Sequence, residues 1–188
     1  MASRSLNDLT PDTKIKALEF LRLTSDADLQ VLIYCTHRDA WEQARLYRQS
    51  RTRKEIDQKR DFLIKNGYRV LADILEAVGP QAGALPHVTW AGPGESFHQF
   101  RQAFDAVPVI DGKCIWIDDH PSWLTFAAGA NQAGLDWSGY WPKAKREYFH
   151  CQIPTAAREN PLFHYNPVEI GKALAADIDR LNDDKEAA

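Results

Sequence analysis

Residues 104–117, Phe-Asp-Ala-Val-Pro-Val-Ile-Asp-Gly-Lys-Cys-Ile-Trp-Ile, read as two apolar strands joined by Asp111-Gly112, the pair that a tight primed turn prefers. Pro108 has no N–H to give to a ladder, so this strand is predicted to lie at a sheet edge or to carry a bulge. Upstream, Leu-Gln-Val-Leu-Ile-Tyr at 29–34 suits a buried strand, and downstream Glu-Tyr-Phe-His-Cys-Gln-Ile at 147–153 supplies another. Around these strands the pattern turns helical. Thr10 followed by Pro11 is a helix start, with Ile15, Leu18 and Leu21 on one face and an end near Leu23. Asp39 offers the cap of a second helix through Trp41, Ala44, Leu46 and Tyr47, which leaves Arg38 at a strand-to-helix junction. A charged helical stretch from about Lys54 to Val78 is divided by Asn66-Gly67, and 79–86 and 91–96 read as loops. Pro121–Gly134 gives a short helix, and Pro167–Leu181 a terminal amphipathic one with Ile170, Leu174, Ile178 and Leu181 aligned. The predicted class is α+β: a small, mainly antiparallel sheet with helices packed around it.

With 188 residues, 44% hydrophobic composition and six tryptophans, the chain can bury a substantial core, and its length favours one domain over residues 1–188. Cys35, Cys114 and Cys151 form no CxxC pair, which excludes a disulfide framework and a thiolate zinc finger and points to synthesis in the reducing cytoplasm. The amino terminus has no apolar core of signal-peptide length, and no stretch approaches the roughly 20 apolar residues that span a bilayer. The net charge of −3 is mild but uneven, because residues 45–60 carry seven Lys and Arg against Glu55 and Asp57. That run reads either as a solvated helical face or as a patch drawn to a polyanion such as cell wall, lipopolysaccharide or nucleic acid; composition does not choose between them.

His98, Asp105 and His150, with Glu147 nearby, could supply two imidazoles, one carboxylate and a base for a zinc-activated water. Three such ligands leave a fourth tetrahedral position open, whereas a closed structural site uses four and usually several thiolates. His98 and Asp105 are seven residues apart, which excludes the one-turn spacing of a helical His pair and suggests a loop followed by the first position of the hairpin strand. The site is thus expected at the sheet. Strict alternation puts Glu147 and His150 on opposite strand faces, so Glu147 must lie in the turn before the strand or be re-aimed by a bulge. His37, His87, His120 and His164 read as ordinary polar groups, with His120 in a turn that caps the next helix.

Ser96, His98, Ala103 and Asp105 in an S-x-H-x-x-x-x-A-x-D pattern, Glu147 and His150 in E-x-x-H, and Arg38 and Gln43 in T-H-R-x-x-x-x-Q resemble the zinc D-Ala-D-Ala carboxypeptidase and L-alanyl-D-glutamate endopeptidase family, which includes VanY-type enzymes and bacteriophage endolysins. The resemblance spans most of the chain. LYRQSRT at 46–52 is similar to the family's LYxxGRT, and GLDWSGYW at 134–141 to the GLxWGGDW of the L-alanyl-D-glutamate branch. Three positions depart from the pattern: Arg101 and Ser50 stand where glycines are usual, and Tyr140 where an aspartate is common. Residues 53–85 look longer than the corresponding segment and read as a charged helical insertion.

The resemblance implies Zn2+ held by His98, Asp105 and His150, with Glu147 passing a proton from water to the leaving amine. It implies that Arg38 grips a stem-peptide carboxylate or the tetrahedral oxyanion and that Gln43 donates an amide hydrogen to the same oxygen. Trp137, Tyr140 and Trp141 would wall the cleft, and Ser96 would orient a ligand or a turn. The implied protein is a monomeric peptidoglycan stem-peptide hydrolase, an L-alanyl-D-glutamate endopeptidase of the phage endolysin kind. Such an enzyme is made in the cytoplasm and reaches the wall after holin-assisted release, with the basic stretch 45–60 as an anionic-envelope contact and no nucleic acid favoured. Its rivals are a D-Ala-D-Ala carboxypeptidase on the same ligands and a non-catalytic envelope or nucleic-acid binding protein with structural zinc.

Overall fold

The computed structural model describes residues 2–83, 87–155 and 160–179. Packing divides them into two compact units, one of residues 38–99 and 160–179 and the other of residues 2–37 and 100–155.

The second unit contains the sheet. Strands β1 (Gln30–Cys35), β2 (Ala103–Ile110), β3 (Lys113–Cys114), β4 (Asp136–Trp137) and β5 (His150–Gln152) run in the order β1-β2-β5-β4, all antiparallel, with β3 added to β2. The hairpin forms as its turn chemistry dictates, because Asp111 and Gly112 both adopt the positive φ of a primed turn, 49° and 73°. The edge position predicted for β2 is corrected: this strand is central. Pro108 is tolerated there because N–H and C=O of one strand residue point to the same side, and Pro108 accepts from Ile115 N at 2.9 Å on the flank that Ala106 N uses for Phe149 O. That flank passes from β5, paired to residues 103–105, to β3, paired to residues 109–110, so the missing donor falls in the gap between them.

Helix α1 (Pro11–Asp26) starts as expected, with Thr10 Oγ1 accepting from Thr13 N, but its buried face is not Ile15, Leu18 and Leu21. Ile15 is 66% exposed and Leu18 48%, while Thr13, Ala17, Phe20 and Thr24 are buried. Phe20 packs against Phe104 of β2 and Phe126 of the later helix Ser122–Gln132, with ring centroids 5.8 and 4.8 Å away. The core around them takes in Ala106, Val107, Trp123, Trp137 and Cys151. β1 is less buried than its composition suggests, with Leu32 turned largely to solvent.

The first unit is helical: α2 (Ala40–Tyr47), α3 (Arg53–Lys65) and α4 (Arg69–Val78), followed in the chain by α5 (Ser122–Gln132) of the second unit and then by α6 (Pro161–His164) and α7 (Pro167–Ala173). Asp39 caps α2 by accepting from Glu42 N at 2.6 Å, and Asp177 near the end of the described chain accepts from Ala40 N, so two carboxylates sit on that helix start. α3 and α4 break where Gly67 takes φ +86°. The predicted terminal helix is interrupted at Leu174: α7 ends at Ala173 and helical backbone resumes over 175–179, with Ile170 and Leu174 buried as the pattern requires; Leu181 lies outside the described residues, as do positions 84–86 of the predicted 79–86 loop. Most of the basic run is spent within the fold. Arg48 binds the Val78 carbonyl, Arg53 and Arg60 share Asp57 and Glu76, and Lys59 meets Glu95 at 2.8 Å.

Candidate metal centre

A row of side chains crosses the sheet of the second unit. Cys35 at the end of β1 pairs with Asp105 of β2, which pairs with His150 of β5, and residues directly opposite each other in antiparallel strands share one face. The register between β1 and β2 shifts between Ile33 and Cys35, so a bulge at Tyr34 brings Cys35 rather than Tyr34 opposite Asp105. All three side chains in the row are buried. His150 Nδ1 lies 3.1 Å from Asp105 Oδ1, and Nε2 lies 3.0 Å from Oε1 of Gln152, two residues further along the same strand face. Burial disfavours a charged imidazole, yet the hydrogen bond to Asp105 and the charges of Asp105 and Glu147 outweigh it and raise His150 above the ordinary histidine value. Cys151, on the opposite face in the core, has its thiol pushed up by burial and then by the charges of Asp105 and Asp136, and stays neutral.

Glu147 lies outside β5, just ahead of the turn at 148–149 that leads into it. Ser138 fixes this turn. Its hydroxyl contacts the carbonyl oxygens of both Glu147 and His150, the latter at 3.0 Å, and the residue is fully buried. Trp137 adds a third tie, its indole N–H donating to Tyr148 O at 2.6 Å. The segment 137–138 therefore acts as a brace beneath the Glu147-to-His150 turn. Trp141 packs 5.7 Å from the His150 ring, held by an indole N–H shared between both oxygens of Asp136, and Tyr140 stands largely in solvent with its edge against Trp137.

The remaining candidates lie in the first unit. Arg38 precedes α2 and donates from Nη1 to Gln43 Oε1 at 3.0 Å. Gln43 is fully buried, and its amide nitrogen donates to Ala91 O at 2.7 Å, so the side chain is clamped at both ends. Ser96 and His98 are buried, His98 within a short 3-10 helix at Phe97–Phe100, and the Ser96 carbonyl accepts from Gln99 N.

Among the described residues, Cys35, His98 and Asp105 are each buried and each able to offer a metal-ligand atom. Imidazole, carboxylate and thiolate are all donor types that a divalent metal such as zinc takes. Cys35 and Gln152 are the neighbours that sequence reasoning missed. Gln152 was accessible through strand alternation from His150; Cys35 was not, because its place depends on the Tyr34 bulge. Ser138 was visible only as a letter of the 134–141 motif, without a role. The other histidines stay outside the row: His120 Nδ1 accepts from Ser122 N at 3.2 Å, serving the turn before α5.

The α+β chain is similar to peptidoglycan L-alanyl-D-glutamate endopeptidases, as its motifs anticipate. The relative that carries this statement is the peptidoglycan L-alanyl-D-glutamate endopeptidase CwlK of Bacillus subtilis (strain 168), 26% identical over 155 residues, which are 78% of this chain and 74% of that protein. Among solved structures, the Serratia marcescens L-Ala D-Glu endopeptidase ChiX superposes with a TM-score of 0.43 at 16% identity, covering 82% of this chain and 89% of that one. No family model matches the chain.

Proposed function

We propose that this protein is a metal-dependent peptidoglycan peptidase that cuts the stem peptide between L-alanine and D-glutamate. The observation that carries the reading is the buried Asp105–His150 pair immediately after the Ser138-braced turn of Glu147; the similarity to the Bacillus endopeptidase supports the choice of bond.

His98, Asp105 and His150 are the residues that would hold the ion in this reading, and a zinc ion bound there would acidify a water and polarise the scissile carbonyl. Glu147 takes the proton of the attacking water and returns it to the leaving amine, which requires its carboxylate to stay within reach of the sheet face that His150 occupies. Ser138 positions Glu147 by holding the turn's carbonyls. Arg38 binds a stem-peptide carboxylate or the developing oxyanion through its guanidinium. Gln43, fully buried and clamped to Ala91, acts by orienting Arg38. Trp141 closes one wall beside His150, and Tyr140, exposed above Trp137, meets the peptide; Ser96 holds the approach to His98.

The test is a digest of purified peptidoglycan with and without chelator, with the muropeptides read by mass spectrometry. New amino termini on D-glutamate, abolished by chelator and restored by zinc, are the expected outcome. Loss of a terminal D-alanine instead transfers the protein to carboxypeptidase chemistry, and an unaltered muropeptide profile under every metal condition leaves a binding protein with structural metal. The proposal extends to a phage-type lytic role, for which co-expression with a membrane pore-former in a bacterial host should produce lysis that the Glu147→Gln variant does not.

A further inference from the structure

The first unit carries a cleft of about 400 Å³ bordered by the end of α2, the exposed side of α3 and residues 87–90. Its apolar surface is aromatic. Tyr47 forms part of the wall, Phe62 lies along α3, and Trp90 is 62% exposed, its indole perpendicular to His87 with ring centroids 5.5 Å apart. Exposing this much of a tryptophan beside two other aromatic rings gives up burial energy that the fold does not recover elsewhere.

The charges of the cleft are already committed. Arg51 is buried with its guanidinium 3.7 Å above the Tyr47 ring, donating to the carbonyls of Tyr47 and Thr89, the latter at 2.7 Å. Lys59 is paired with both oxygens of Glu95. Glu55 is bound through one oxygen to Thr52, whose backbone and hydroxyl hydrogen bonds hold its carboxyl below the ordinary range, assisted by the charges of His87 and Arg51. No cation in the cleft is left over for an anionic ligand. Hydrogen-bonding capacity does remain: among the described residues, the Gln58 amide and the second carboxylate oxygen of Glu55 have no protein partner. His87 uses Nε2 on the Ser50 carbonyl at 3.2 Å, which leaves Nδ1 for a ligand hydroxyl.

Aromatic faces with a rim of unspent donors and acceptors, and no uncommitted cation, complement a ring that is apolar on its flat faces and hydroxylated around its edge. A pyranose is such a ring: its axial C–H bonds present partial positive charge to the negative face of an indole or phenyl group, while its equatorial hydroxyls reach outward. We propose that this cleft is a saccharide-binding site, with Trp90 and Phe62 as the stacking surfaces and Gln58, Glu55 and His87 as the hydroxyl partners. The sugar class follows from the cleft; the particular sugar, the N-acetylated hexosamine units of the glycan strand, rests on the proposed peptidoglycan substrate, and an N-acetylglucosamine oligomer serves as the probe.

The protein is titrated with the β-1,4-linked N-acetylglucosamine trimer, which carries no stem peptide to be cut, while the tryptophan indole N–H resonances are followed by NMR. The expected result is a saturable shift centred on the Trp90 indole. Trp90→Ala should weaken binding about tenfold or more and Gln58→Ala about threefold, the sizes of a lost stacking surface and a lost neutral hydrogen bond. Both positions face solvent, so these variants keep the fold. The absence of a saturable shift, a shift centred on Trp137 or Trp141, or a dissociation constant unchanged in both variants overturns the proposal. Because the measurement involves no peptide cleavage, its failure leaves the peptidase reading standing, and failure of the digest leaves the saccharide site standing.

Discussion

Ser50 and Arg101 hold φ values of 59° and 60°, the left-handed conformation that glycine adopts freely and that costs other L-residues about 1–2 kcal/mol. The motifs that the chain resembles have glycine at both places, so the backbone shape persists here with side chains that resist it. Each is therefore a stored cost. Ser50→Gly and Arg101→Gly should each raise the urea-unfolding free energy by about 0.5–1 kcal/mol, the relieved strain less the chain entropy that glycine adds; a fall in stability would show that the side chains make contacts worth more than the strain. Gly94 is the converse. Its φ is +83°, and a Cβ there would meet Leu71 Cδ1 at 2.4 Å and Leu162 Cδ2 at 2.9 Å, so Gly94→Ala should cost about 1–3 kcal/mol by the same measurement. At the site, Glu147→Gln keeps shape and removes basicity. It should leave bound metal unchanged while turnover falls about 10²–10⁴-fold, the usual worth of a general base; full activity in that variant would remove Glu147 from the role.

At the scale of elements, the turn between Trp137 and His150 is where small changes travel furthest. Ser138→Ala deletes the hydroxyl that the Glu147 and His150 carbonyls share, and a buried carbonyl left without a donor costs about 1–3 kcal/mol. The melting temperature should drop and turnover with it, whereas Ser138→Thr, which keeps the hydroxyl, should recover part of both. Helix α3 offers a pH test. Glu55 closes the capping box with Thr52, and a carboxyl held below the ordinary glutamate range stabilises the helix start above that range and loses the effect as pH falls through the lowered value. NMR titration of Glu55 should therefore give a midpoint below that of glutamate in an unfolded peptide, and the Thr52→Ala variant, which loses the hydroxyl but keeps the backbone N–H that does most of the lowering, should move it only part of the way back. The elements most legible in the chain are those written by local chemistry: the Asp111-Gly112 turn, the Thr10 and Asp39 caps, the Gly67 break. The illegible ones depend on distant partners. α1 offers two faces at helical spacing, and the one that is buried is not the face richest in leucine and isoleucine but the one whose small Ala17 and Thr13 let Phe20 reach Phe104 and Phe126. Pro108 was misplaced for the same reason, since only the handover from β5 to β3 reveals that its nitrogen faces a gap.

For the molecule as a whole, no helix among the described residues is long and apolar enough to cross a membrane, and the basic stretch that sequence alone presents as a polyanion patch is largely occupied by internal carbonyls and carboxylates. Arg45 and Lys54 are the exposed cations of that run without a protein partner among the described residues. Neutralising Arg53 should thus be read first as a loss of its pairs with Asp57 and Glu76 and only then as a loss of surface charge; exposed pairs of this kind contribute little to stability. The expected ligands could be named from the sequence because two imidazoles and a carboxylate in a recognisable pattern carry their chemistry in the side chains themselves. Its supports were not. Cys35, Gln152 and Ser138 acquire their roles from register, alternation and a turn closed across the sheet. The account stands or falls on which residues grip the ion, and metal content per chain answers that most directly. Zinc-loaded protein should carry one equivalent, retained in Glu147→Gln and lost in His98→Ala, Asp105→Ala and His150→Ala; full retention of zinc in His150→Ala would contradict the central claim.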